Sequence, residues 1–132
     1  MYVSYASTYN IQFYDRKFVM AQTWTEILRG LGGSTGKLAA GSPATMKAFG
    51  GLAAAATQDG ALDKKTKELM AISISICIRC EGCIAYHTHK AIGAGATREE
   101  MLETINVAIE MGGGPSTVYG SKALEAFDEF SQ

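Results

Sequence analysis

Charge is scarce in this sequence of 132 residues: Lys and Arg number 12, Asp and Glu 13, so charged side chains make up 19% and the net charge is -1. An average soluble domain carries roughly 25%. There is no cationic field to gather phosphate backbones, which argues against nucleic-acid binding. Long apolar runs are lacking too. The longest, Leu69 to Ile78, covers ten residues, whereas a membrane-spanning helix needs about 20, so no membrane span is expected. The first eighteen residues show no continuous apolar stretch behind a basic leader and no small-residue cleavage site, which makes a secretory signal unexpected and a cytoplasmic location the expectation. Cysteine numbers only three, an odd count too small for a disulfide scaffold. A reducing compartment keeps such residues as thiols unless chemistry oxidises them.

What is present fits one domain. Hydrophobic residues reach 47%, and so apolar a surface on so short a chain, with Gly and Ala-rich segments such as Gly50 to Ala56, points to a homo-oligomer. Residues 1–19 hold six of the twelve aromatics without a period and read as an N-terminal arm or partly disordered leader, leaving 20–132 as the domain. From Met20 a helix-forming stretch, Ala21 to Arg29, meets Gly30, Gly32 and Gly33, which are expected to stop it. Gly32 to Lys37 superficially invites a phosphate loop, but Leu38 stands where Ser or Thr must follow the Lys, so a flexible connection is the expectation. Ser42-Pro43 is a helix entry. Met46, Phe49, Ala53 and Ala56 recur at helical spacing until Asp59-Gly60, predicting a helix over 43–58.

Asp63 can cap a further helix, Lys64 to Arg79. Within it Ile72-Ser73-Ile74-Ser75-Ile76-Cys77-Ile78 alternates strictly, a strand pattern taken alone. The helical flanks carry no turn chemistry and no other segment offers a strand to pair with, so helix is the reading, with serines facing small residues or bonding back to helix carbonyls. Cys83 to Ile92 reads as another helix. Thr97-Arg98-Glu99-Glu100 is a capping box opening a helix with Leu102, Ile105, Ala108 and Ile109 on its apolar side, closed by Gly112-Gly113-Gly114-Pro115. Ser116 begins a last helix that docks through Ala123, Leu124, Phe127 and Phe130. The fold class is all-α, with five or six helices.

Chemistry concentrates in Cys80-Glu81-Gly82-Cys83-Ile84-Ala85-Tyr86-His87. On one helix, offsets of 0, 3 and 7 bring the two thiols and the imidazole within about 60° of one another. A break at Gly82 would place Cys83 in a helix's first turn, where free N–H groups and the macrodipole favour a thiolate; Arg79 works in the same direction and Glu81 against it. His87 can take a thiol proton, and the second thiol can condense with an oxidised first one. Redox dithiol chemistry suits this spacing best. Zinc binding, a structural disulfide and inert core thiols stay open, although His89 points about 200° away from His87 and gives zinc no fourth ligand. Haem attachment needs His after the second Cys, where Ile84 stands. Cys77 reads as a buried small hydrophobe and His89 as solvent-facing or a helix partner.

Glu68, Cys80, Cys83 and His87, together with Gly95-Ala96-Thr97-Arg98-Glu99-Glu100 and Met111-Gly112-Gly113-Gly114-Pro115, resemble the carboxymuconolactone decarboxylase superfamily, in particular its AhpD-like alkylhydroperoxidase branch, over residues 20 to 130. The resemblance implies an all-helical fold assembled as trimers or hexamers and a peroxidase site with no cofactor. It also implies roles: Cys83 attacks a small-molecule hydroperoxide, Cys80 resolves the sulfenic acid, His87 activates the thiol, Glu68 orients it or returns the proton, and an external dithiol reductant closes the cycle. The AhpD pattern has His before the second Cys, where this chain has Gly82, and the lactone decarboxylases themselves lack the CxxC pair. Spacing alone makes Glu68 an ordinary solvated carboxylate, about 18 Å from Cys80 along a continuous helix. It joins the site only if the chain bends back near Glu81-Gly82 or if it arrives from another part of the assembly.

Overall fold

A computed structural model describes residues 22–132, and the expected arm over 1–19 lies outside the described residues. Among the described residues the chain is all-helical, with α1 Trp24–Gly41, α2 Pro43–Thr57, α3 Lys64–Cys77, α4 Glu81–Gly93, α5 Arg98–Gly112 and α6 Gly114–Phe130. Helices α3 to α6 enclose the core: Ile72 and Ile76 from α3, Ile84 from α4 and Met101 from α5 are fully buried, and Ala123 and Phe127 of α6 close it. Small side chains at Ala85, Ala91, Ala108 and Ala126 let the helices approach closely.

Capping chemistry explains several boundaries. Asp63 accepts the Thr66 N–H at the start of α3, and Thr97 with Glu100 forms the expected capping box at α5. A second capping box, Thr23 with Glu26, opens α1. There Glu129 of α6 also accepts the Trp24 and Thr25 N–H groups at 3.0 and 2.8 Å, so a carboxylate stands on the positive end of the helix. Ser42 precedes Pro43 as expected, but its side chain makes no capping hydrogen bond.

Four expectations need correction. Gly30, Gly32 and Gly33 do not stop α1, and the connection expected over Gly32 to Lys37 is helical to Gly41. Glycine costs about 1 kcal/mol in a helix interior, which the capped start and the packing of Trp24, Ile27 and Leu28 against the core offset. Helix 43–58 forms nearly as expected, but no residue of α2 is buried, and Phe49 and Leu52 remain 60% and 66% exposed; its apolar stripe does not face this chain's own core. Cys77 is exposed rather than buried. It occupies the last turn of α3, with Sγ near the Ala108 carbonyl (3.5 Å) and the Ser116 hydroxyl (3.9 Å). The final helix starts at Gly114, two residues before Ser116.

The alternating run is helical, as the pairing argument requires: Ile72, Ser75 and Ile76 point inward, Ile74 and Ile78 outward, and the Ser75 hydroxyl donates to the Ala71 carbonyl at 2.7 Å. Helices α5 and α6 pack closely at Gly120, where an added Cβ would stand 2.7 Å from Ile105 Cγ2. Gly120→Ala is therefore expected to destabilise the fold by about 1–3 kcal/mol through overpacking, measured as a lower urea midpoint at unchanged slope.

Candidate functional site

The site begins where α3 ends. Arg79 takes a left-handed conformation (φ 61°), one that costs a side-chain-bearing residue about 1–2 kcal/mol. Its N–H donates to the Ile76 carbonyl at 3.2 Å, and the Cys80 N–H to the Ser75 carbonyl at 3.0 Å. This pair of bonds is a Schellman closure, usually built around glycine. Cys80 then serves at once as the N-cap of α4, with its Sγ accepting the Cys83 N–H at 3.2 Å. The helix breaks here, not at Gly82, and the bend required for Glu68 to reach the site falls at Ile78 to Cys80, just ahead of Glu81-Gly82.

Four side chains converge across this bend. Cys80 and Cys83 are joined by a disulfide, their Cα atoms 5.2 Å apart. Cys80 stands outside α4 and Cys83 in its first turn, so the continuous helix that the shared-face geometry assumed is absent; the cap fold brings the two sulfurs together instead. His87 follows Cys83 by one helical turn. Glu68, 19 positions before His87, reaches the same place from α3, and its Oε2 lies 2.7 Å from His87 Nδ1. The Glu68 side chain is 3% exposed and that of His87 25%, so the carboxylate is enclosed while the ring keeps an open side. A carboxylate on Nδ1 orients the imidazole and leaves Nε2 as the nitrogen that can take a proton. Tyr86 meets the His87 ring edge-on with centroids 5.1 Å apart. Both site cysteines are half-buried.

His89 lies apart, exposed and packed edge-on against Phe130. No group of three or more His, Cys, Asp or Glu side chains is arranged to hold a metal ion among the described residues. The sequence reading missed the neighbours that α1 and α6 supply. Lys122 of α6 forms an ion pair with Glu81, the residue between the cap and the first turn, and the carboxylate holds the Lys122 ammonium above its ordinary range. A Cβ on Gly82 would stand 3.5 Å from Leu31 Cδ1, so α1 covers the middle of the CxxC segment. A cleft of about 230 Å³ opens beside it, lined by Gln22, Trp24, Ile27, Glu81, Lys122 and Glu125. Lys122 and Glu81 are 41 positions apart, and no local pattern announces such a pair.

The family model of the carboxymuconolactone decarboxylase family matches residues 43–126, a span that includes all four convergent side chains. The chain belongs to the carboxymuconolactone decarboxylase family. A solved family protein of Legionella pneumophila, in its apo form, is 47% identical and superposes with a TM-score of 0.80, covering 83% of this chain and 97% of that one. A family protein from Thermotoga maritima, whose description raises an involvement in antioxidative response, is 30% identical with a TM-score of 0.71, covering 80% and 89%. An uncharacterized protein of Cupriavidus necator is 46% identical over 93 residues, 70% of this chain and 82% of that one.

The Glu68–His87 pair also contributes to the packing of α3 on α4. Removing one partner of an enclosed ion-hydrogen bond strands the other, so Glu68→Ala is expected to lower stability by about 1–3 kcal/mol in urea unfolding, and Glu68→Gln, which keeps an acceptor for Nδ1–H, by less.

Proposed function

We propose that this protein is a thiol-dependent hydroperoxide reductase that works by a CxxC dithiol/disulfide cycle. The observation that carries the reading is the bonded Cys80–Cys83 pair at the N-terminus of α4, with a carboxylate-oriented imidazole one turn beyond it. Sulfurs in bonding reach of each other can pass between dithiol and disulfide without rearranging the fold.

In the cycle, His87 Nε2 takes the Cys83 proton. The Cys83 thiolate attacks the distal oxygen of a hydroperoxide, forming an S–O bond as the O–O bond breaks. Cys83 becomes a sulfenic acid, and the alkoxide leaves as an alcohol with the proton that His87 returns. The Cys80 thiolate then attacks Cys83 sulfur, forming the S–S bond and expelling hydroxide, which leaves as water. Two electrons have passed from the thiols to the peroxide. An external dithiol restores both thiols by exchange and departs as a disulfide. Glu68 keeps the ring oriented and stabilises its charge while it holds the proton. The N–H groups and dipole of α4 favour the thiolates. No step calls for a cofactor, and the thiols would be kept reduced in a cytoplasmic setting.

The same His87–Glu68 pair, in a family named for a decarboxylase, supports a second reading as an acid/base lyase on a cyclic acid. The two readings differ in their need for sulfur. Cys83→Ser is expected to lower peroxide consumption at least a hundredfold in an assay coupled to a dithiol. Full peroxide consumption by Cys83→Ser would overturn the reductase, and turnover of a lactone acid indifferent to both cysteines would establish the lyase.

We further propose that the working form is a homo-oligomer, a trimer or a hexamer. The support is α2, which buries none of its residues, and the exposed Met70 and Ile74 of α3, Ile78 just after it, and Val107 and Met111 of α5. Light scattering is expected to give three or six times the chain mass, and the mass of a single chain would refute the assembly.

A further inference from the structure

We propose that Lys122 is a positioning residue for the dithiol: by neutralising Glu81 from across the α4–α6 interface, it keeps the neighbouring Cys80 sulfur able to ionise. The inference rests on the proposed dithiol cycle for its purpose, while its test needs no peroxide.

Glu81 is the first residue of α4, immediately after the capping Cys80. At that position its carboxylate complements the helix dipole, but it also places a negative charge next to the sulfur that must become a thiolate to resolve the sulfenic acid. A like charge on the adjoining residue disfavours ionisation. Lys122 answers this charge directly, with Nζ bonded to Glu81 Oε1. Its ammonium is in turn held over the Tyr119 ring, 5.1 Å from the centroid, so α6 fixes the cation on one side of the CxxC segment. The pair is partly exposed, 38% for Lys122 and 42% for Glu81. Solvent screening therefore makes it a weak contributor to stability, yet it decides the local sign of charge at the cap.

The other charges around Cys80 do not substitute for Lys122. Glu125 of α6 lines the same cleft and adds negative charge. From α1 and the residues just before it the cleft receives only Trp24, Ile27 and Gln22, none of them ionisable. On the α3 side, Arg79 adjoins Cys80 but is exposed, and Glu68 is engaged with His87. With Lys122 removed, Glu81 and Glu125 would leave the cleft side of the cap negative.

The test is the pH dependence of Cys80 alkylation by iodoacetamide in reduced full-length protein carrying Cys83→Ser, read by mass spectrometry on the tryptic peptide from Cys80 to Lys90, which excludes Cys77. Lys122→Met is expected to slow alkylation at pH 7 about threefold and to move the rate profile to higher pH. Lys122→Arg should keep the parent profile, Glu81→Gln should move it to lower pH, and Glu81→Gln with Lys122→Met should return it near the parent. A Lys122→Met profile that superimposes on the parent, or shifts of the same sign for Lys122→Met and Glu81→Gln, would overturn the proposal. If Lys122→Met does not fold, Glu81→Gln alone decides: no downward shift refutes it. Peroxide consumption by the chain with both cysteines, measured in parallel, separates the two ideas, because its absence would sink the reductase and leave the profile shifts standing.

Discussion

Cys80 serves two helices at once. Its backbone N–H closes α3 on the Ser75 carbonyl, and its sulfur receives the Cys83 N–H that opens α4. Only Ile78, Arg79 and Cys80 separate the two helices, so α4 turns back along α3, and residues on either side of the bend become neighbours. Glu68 and His87 are such a pair. Their 2.7 Å contact follows from a turn centred eleven residues after Glu68 and eight before His87, fixed by two backbone hydrogen bonds and a left-handed Arg79. Lengthening that turn would move the imidazole along α3 away from its carboxylate while leaving every helix intact.

The proposed chemistry grows from the same geometry. A cap position gives a sulfur free N–H groups and the positive end of a helix, a first-turn position brings a second sulfur into bonding reach, and one further turn supplies a base. The carboxylate that orients this base can be almost wholly enclosed because it is paired; an unpaired carboxylate in that place would be costly. The remaining helices modulate rather than create the site. Helix α1 lays Leu31 over Gly82, and α6 delivers Lys122 to Glu81. The exposed apolar faces of α2, α3 and α5 are proposed for assembly, and Ile78 brings that surface up to the bend that carries Cys80.

Much of the fold was legible because local chemistry and long-range packing agree. Asp63, Thr97 and Pro43 mark helix entries whose caps and first turns form as their side chains demand. The alternating Ile–Ser run was legible only by elimination, since a strand without a partner leaves its backbone unsatisfied. Legibility failed where tertiary contacts overrule local preference. The glycines of α1 are poor helix formers, yet the helix passes through them because its N-terminal part is held from outside, by Glu129 and by the packing of Trp24, Ile27 and Leu28. Cys77 lies in an apolar run and looks buried, but it falls on the outward side of α3 with Ile74, while Ser75 and Ile76 beside it turn inward. In the candidate site the cysteines and His87 announce themselves by spacing, whereas Glu68 does not. Its place depends on a bend at a non-glycine residue, and only its likeness to a family pattern singled it out. The Lys122 contact left no trace in the sequence at all.

The most direct test of the account is the mass of the fully reduced protein after one equivalent of an organic hydroperoxide. Dithiol chemistry at the cap predicts a loss of two daltons, mapped to the peptide that contains Cys80 and Cys83, with Cys77 still a thiol. An unchanged mass, or oxygen added without formation of that bond, would contradict the claim that these two sulfurs and the imidazole beside them form a redox centre.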